Sequence, residues 1–411
     1  MTTYLTSKIS QSIKSSHVRD LLQMALRPDM ISMAGGLPAA ELFDVEGIQQ
    51  AAQLALAESP SACLQYGMTE GQQRLKDALV RHLAAKGVHA TNDTLVVTTG
   101  SQQALDLMGR TMLDPGDRIA VERPTYLSAL QAFNLYSPEF VSIAVDRDGG
   151  CVEQLERLTP GQMPKLVYVV TNFANPSGAS MSLERRAWLA RWAVRNKVFV
   201  LEDDPYGDLY FGSSPLPPLA AIARDIPGAT EWCGYTSTLS KCVAPGLRIG
   251  WLVLPAELAR AVAKVKQAID LHTSSFAQEV AARYLESGRL PGRLDTIRKE
   301  YRTRRDALQA ALQSRFGAKL TFNTPEGGLF LWAKFNDGTQ SGELLRHALE
   351  RNVIFVPGDL FFADTPDLST LRINFSGATA EKIATGVDRM FEAHAAYRRE
   401  TDGFALLAAT A

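Results

Sequence analysis

Two spacings of apolar residues alternate along the chain. Short runs rich in β-branched side chains, at 94–99 (TLVVTT), 118–122, 165–171 (KLVYVVT) and 198–201, predict strands. Stretches with apolar residues three and four apart predict helices at 51–57, at 103–113, where Ala104, Leu107 and Met108 face inward, and at 183–194. Strands recurring at roughly 30-residue intervals with helices between them are βαβ units, which build a mostly parallel sheet. The expected fold class is therefore α/β. In such sheets ligands sit beyond the carboxyl ends of the strands.

The ends of the chain follow another pattern. Residues 16–26 (SHVRDLLQMAL) carry Val18, Leu21, Leu22 and Leu26 at helical spacing, with Arg19 near the start. Gly35, Gly36 and Pro38 then break regular structure and let the backbone pass close to another group. Residues 255–290 read as helical and 291–316 as a second long helix, whose KEYRTRR run is expected to be a solvated face. Short strands and helices follow, including 324–332, 353–358 and 371–376. The expected division is an arm at 1–45 that is partly in the small domain, a large domain at 46–290 and a smaller α+β domain at 291–411.

Composition narrows the function. The 411 residues are 46% hydrophobic and 21% charged, as in a globular protein with a sizeable core. A net charge of -1 leaves no positive field for nucleic acid or an anionic membrane. The N-terminus lacks the apolar core of a signal peptide, and no stretch approaches about 18 uninterrupted apolar residues, so a cytoplasmic protein is expected. Cys63, Cys151, Cys233 and Cys242 have no CxxC spacing and suggest neither a metal site nor disulfides.

The chemistry centres on 237–251 (STLSKCVAPGLRIGW). Lys241 could hold an aldehyde as a Schiff base while Thr238, Ser240 and Arg248 gather round an attached phosphate. Gly100, Ser101 and Gln102 form a turn between a strand and a helix, which suits an anion, although Ser101 also reads as a plain N-cap. Arg372 stands in the middle of an apolar strand, where it is costly unless paired. Its guanidinium matches an α-carboxylate in a two-point contact, and a structural salt bridge is the alternative.

These motifs, in this order, resemble the fold type I pyridoxal-phosphate enzymes, most closely the 2-aminoadipate and kynurenine aminotransferase branch of class I/II aminotransferases. The likeness runs from about Arg19 to Ser376. It implies a seven-stranded central sheet in the large domain and pyridoxal 5'-phosphate as cofactor, with no metal. It implies that Tyr126 stacks on the pyridine ring, that Asn175 bonds the ring oxygen, and that Asp203 and Tyr206 serve the ring nitrogen and the phenolic oxygen. Asp203 is chosen over Glu202 and Asp204 by the Asp-x-x-Tyr spacing, and those two are expected to cap helices.

The resemblance also assigns Arg372 to the substrate carboxylate, places Gly36 and Arg19 near the bound amino acid, and gives Tyr66 to the phosphate of a neighbouring subunit. A homodimer with shared sites follows. The implied reaction moves an amino group between an L-amino acid and a 2-oxo acid such as 2-oxoglutarate. A pyridoxal-phosphate lyase or decarboxylase is one alternative. A non-catalytic effector sensor is another, set aside because the likeness begins too early for an N-terminal DNA-binding domain.

Overall fold

A computed structural model describes residues 5–12, 21, 23–25 and 27–410. Arg19 and most of the predicted 16–26 helix lie outside the described residues. In chain order the strands are β1 (Ile31–Ser32), β2 (Leu95–Thr98), β3 (Arg118–Arg123), β4 (Glu139–Asp146), β5 (Gly149–Gly150), β6 (Leu166–Val169), β7 (Phe199–Asp203), β8 (Cys233–Thr238), β9 (Gly250–Val253), β10 (Leu320–Phe322), β11 (Phe330–Phe335), β12 (Val353–Ile354), β13 (Val356–Pro357) and β14 (Thr370–Asn374).

The large sheet runs β2-β9-β8-β7-β6-β3-β4-β5. Its centre, β8 through β4, is parallel, β9 is antiparallel to both neighbours, and β5 is a two-residue antiparallel edge. The seven strands expected are thus joined by an eighth, made where Gly149 turns the chain at a φ of 87°. Parallel strands covered on both faces have no solvent side to alternate toward. Accordingly β6, β7 and β8 are buried at every position.

Helices Ser101–Met112 and Leu127–Asn134 cover one face, packing Leu105, Met108 and Phe133 against Tyr168 and Leu201. Helix Leu183–Asn196 covers the other with Leu189 and Trp192 against Val200. Because β9 reverses twice, β2 runs parallel to β8. The carboxyl ends of β2, β6, β7 and β8 therefore share one edge, and antiparallel β9 starts there.

The second sheet is antiparallel, β10-β11-β14-β13, beside helices Leu290–Phe316 and Ala380–Thr410. Strand β1 pairs with β12, and the Asn374 N–H donates to the Met33 carbonyl at 2.8 Å, so the N-terminal segment is tied to the C-terminal part of the chain. Two expectations need correcting. The 255–290 stretch is two helices, Ala256–Asp270 and Ser275–Glu286, broken where Leu271 takes a φ of 62° and Ser274 caps the second through the Ala277 N–H. The KEYRTRR run is not a solvated face throughout: Tyr301, Arg304 and Arg305 are buried, with Arg304 bonded to Glu41, Glu300 and the Ser376 carbonyl. No described helix is long and apolar enough to cross a membrane.

Candidate active site

Lys241 lies in the turn after β8, and its Nζ donates to the Gly36 carbonyl at 2.9 Å. Burial, helped by Arg372 and Arg248, lowers its pKa to about 8 against the opposing pull of Asp203. The amine is therefore closer to its neutral, nucleophilic form than an ordinary lysine.

Asp203 ends β7, where successive side chains point to opposite faces. Its Oδ2 accepts from the Tyr168 hydroxyl at 2.8 Å, while Oδ1 is buried with no partner among the described residues. Burial raises this carboxyl to about 7, opposed first by the Tyr168 bond. Glu202 and Asp204 turn the other way. Glu202 accepts from the Leu219 and Ala220 N–H groups at 2.7 and 2.8 Å and so caps helix Leu219–Ala223, as expected of it. Asp204 caps nothing: it accepts from Asn172 and the Tyr235 hydroxyl at 2.9 and 3.0 Å.

Arg372, in β14, is buried between two rings, 4.2 Å from the Phe330 centroid and 4.9 Å from that of Phe361. Its Nη atoms donate to Asn175 Oδ1 at 2.8 Å and the Ala34 carbonyl at 2.6 Å, and its Nε has no partner among the described residues. Burial lowers its pKa to about 10, which leaves it cationic at neutral pH. Tyr206 packs edge-on against Phe330 at 5.9 Å, and Asn175 precedes a cis proline. Burial raises the Tyr206 hydroxyl pKa, and likewise that of Tyr126, which begins helix Leu127–Asn134 within the field of Asp203, Arg372 and Arg248.

A second cluster lies at the start of helix Ser101–Met112. The cap position belongs to Gly100, at a φ of 78°, and no side chain caps the helix, so the reading of Ser101 as N-cap is corrected. A Cβ on Gly100 would collide with the Arg248 guanidinium, and one on Gly250 would lie 2.7 Å from the Gly100 carbonyl carbon. Only glycines allow this approach. Thr238 and Ser240 hydroxyls are 2.8 Å apart, and Arg248 Nη2 lies 3.4 Å from the Thr99 carbonyl. Helix-start N–H groups, two hydroxyls and a guanidinium without a carboxylate bonded to it make an anion site.

Two residues point elsewhere. The Gln102 side chain bonds the Ser128 carbonyl at 3.3 Å, and Tyr66 is 78% exposed, edge-on to His272 at 5.8 Å. Cys242 is buried with its thiol pushed up to about 12 by desolvation, away from any thiolate role. The sequence reading missed Tyr168, Phe330 and Phe361. All three sit in or beside apolar strand runs, where an aromatic residue signals only core.

The site tests the implied cofactor on its own atoms. A buried carboxylate oxygen without a partner suits a protonated ring nitrogen, a lysine with a lowered pKa suits an aldehyde, and the helix start suits a phosphate. Fold and site together define a pyridoxal-phosphate-dependent transferase of fold type I.

The family described as aminotransferase class I and II matches residues 29–390. The aromatic-amino-acid aminotransferase 1 of Thermococcus litoralis is 38% identical over 94% of this chain and 93% of its own length. The 2-aminoadipate transaminase of Thermus thermophilus is 36% identical over 92% and 93%. The crystal structure of Pyrococcus horikoshii kynurenine aminotransferase, in complex with PMP and with kynurenine as substrate, superposes with a TM-score of 0.89 at 38% identity, covering 94% of this chain and 96% of that one. The chain belongs to the class I and II aminotransferases: it is a transaminase, with pyridoxal phosphate as its cofactor.

Proposed function

We propose that the enzyme moves an amino group between 2-oxoglutarate, or a similar 2-oxo acid, and an L-amino acid of the 2-aminoadipate, glutamate, aromatic or aliphatic kind. The observation that carries this reading is Arg372, a buried cation that no carboxylate of the described residues neutralises. A substrate α-carboxylate supplies the missing partner, and two aromatic faces hold the guanidinium flat to receive it. The relatives' aromatic, kynurenine and 2-aminoadipate substrates support the range of donors.

Bound pyridoxal phosphate supplies an aldehyde to take the amino group and a ring to accept electron density from the α-carbon. The chain's residues do the rest. Lys241 Nζ would hold the cofactor through its aldehyde carbon, with loss of water, and, when freed by the substrate amine, would move the α-proton. Asp203 would hold the ring nitrogen charged, Tyr206 and Asn175 would contact the ring oxygen, and Tyr126 would cover the ring. Ser101, Thr238, Ser240, Arg248 and the backbone N–H of Gln102 would hold the phosphate. Gly36 would lie beside the substrate, and its segment would help to screen the site from water; Arg19, assigned to the same arm, lies outside the described residues.

Tyr66 would serve the phosphate of a second subunit. The exposed Leu64, Tyr66, Met68 and Phe276 support a homodimer there, because so much apolar surface is unusual on a monomer. The same reading keeps the division at 1–45, 46–290 and 291–411 and places the enzyme in the cytoplasm, in keeping with four free cysteines.

The test is a half-reaction panel. Each amino acid is mixed with holoenzyme, the bound cofactor's visible absorbance is followed, and 2-oxoglutarate is then added. Transamination predicts one new amino acid per oxo acid consumed. Release of ammonia or carbon dioxide with no new amino acid would instead make the protein a lyase or decarboxylase.

A further inference from the structure

Among the described residues Asp203 has one hydrogen bond donor, and that donor lies on the neighbouring strand. Tyr168 in β6 is in register with Leu201 of β7, two residues before Asp203, so both side chains emerge on the same face. The tyrosine is fully buried, and its ring packs edge-on against Phe133 at 5.6 Å. It has no room to swing. Its hydroxyl reaches Oδ2 at 2.8 Å, while Oδ1 has no partner.

A carboxylate held at one oxygen by a fixed donor loses its freedom to rotate about the bond to Cβ. We propose that Tyr168 is a positioning residue for the amino-transfer reaction, pinning Oδ2 of Asp203 so that Oδ1 alone is presented to the cofactor's ring nitrogen. This rests on the role given to Asp203 above. The phenol is suited to it, because burial, reinforced by Asp203, pushes its pKa well above that of ordinary tyrosine and keeps it a donor. A histidine or lysine there would bring a charge of its own to compete for the carboxylate. The neutral hydroxyl steadies the carboxylate and leaves its charge for the ring.

The experiment compares Tyr168→Phe, Asp203→Asn and Phe133→Leu holoenzymes with wild type. They are loaded with ring-¹⁵N pyridoxal phosphate, and three quantities are read: the ¹⁵N chemical shift, the cofactor dissociation constant and the half-reaction rate. Tyr168→Phe is expected to move the ¹⁵N resonance part of the way toward the Asp203→Asn position. It should weaken cofactor binding and slow the half-reaction about ten- to a hundredfold, the range for one hydrogen bond to a charged group. KM should change far less than kcat. Phe133→Leu keeps the donor and should leave the resonance at the wild-type position.

A wild-type resonance and rate in Tyr168→Phe, with Asp203→Asn clearly shifted, overturns the inference and leaves the role of Asp203 standing. No shift in Asp203→Asn overturns both. A shift in Phe133→Leu equal to that of Tyr168→Phe also overturns the inference, since packing and not the hydroxyl would then set the carboxylate. Should Tyr168→Phe not fold, Tyr168→Met carries the decision. It likewise lacks the hydroxyl, so its resonance should lie between wild type and Asp203→Asn, and a wild-type position refutes the pinning.

Discussion

Three consecutive acids stand at the end of β7, two in the strand and Asp204 just after it, and they turn to opposite faces of the sheet with opposite surroundings. On the back face Glu202, Asp204 and Arg186 are buried with every polar atom matched. Arg186 alone donates to the carbonyls of Met181, Thr171 and Pro217 and to Asn172 Oδ1, all between 2.7 and 2.9 Å. Lys86 completes the group, 2.9 Å from Asp208 and 3.9 Å from Asp204. On the front face Asp203 keeps an unpartnered oxygen and Arg372 an unpartnered Nε, though each is as deeply buried. Buried polar groups are nearly always satisfied. Where a fold satisfies them itself they hold it together, and where it leaves them open in a cluster they await a ligand.

Substitutions should therefore separate the two faces. The largest effect belongs to Lys241→Ala, expected to cut multiple turnover by at least about 10⁴-fold, the upper range for a lost acid–base group. Its melting temperature should match or exceed wild type, since a buried amine with a lowered pKa opposes folding. Turnover near the wild-type rate without an added amine would break the distinction.

Next comes the back face. Arg186→Met leaves Glu202 and Asp204 buried as like charges and should cost about 3–5 kcal/mol in urea unfolding, the usual range for breaking a buried ionic group. Activity per folded molecule should stay within a few-fold. Arg372→Leu should do the reverse, lowering kcat/KM by about 2–4 kcal/mol of transition-state binding, or roughly thirty- to a thousandfold, as for a lost charge-assisted contact. Urea stability should fall less than in Arg186→Met, because the acceptors left without this donor, Asn175 Oδ1 and the Ala34 carbonyl, are uncharged and no carboxylate is orphaned.

The smallest effect is on pH. With Asp203 raised to about 7 in the cofactor-free chain, the carboxyl takes up a proton as pH falls through 7. That proton must leave when a protonated ring nitrogen docks. Cofactor affinity should thus weaken below pH 7 by up to about tenfold per unit and level off above it. The slope should vanish in Asp203→Asn, as equilibrium dialysis across pH 5.5–8.5 would show.

Much of this was readable in the amino acids. The strand at 198–201 and the acids after it carried the sheet and its edge, because buried parallel strands write themselves as unbroken apolar runs. Lys241 stood out by the hydroxyls and the Pro-Gly bend around it, and Arg372 as a charge where an apolar residue was due. The face each acid takes was legible only through the spacing to Tyr206, since alternation fixes it only once the end of β7 is known. Tyr168 left no mark: a tyrosine in KLVYVVT reads as core, and its partner lies 35 residues away on another strand. The buried Arg304 and Arg305 were hidden in part for the same reason, since beside their local acceptors Glu300 and Asp306 they reach Glu41 and the carbonyls of Ser376 and Pro325.

The central claim is that the front face is completed by a cofactor bound through Lys241. Holoenzyme reduced with borohydride, digested and analysed by mass spectrometry tests it directly. The account predicts one phosphopyridoxyl adduct per chain, on the peptide containing Lys241 and absent from Lys241→Ala. An adduct on a different lysine, or none on cofactor-saturated protein, would contradict it.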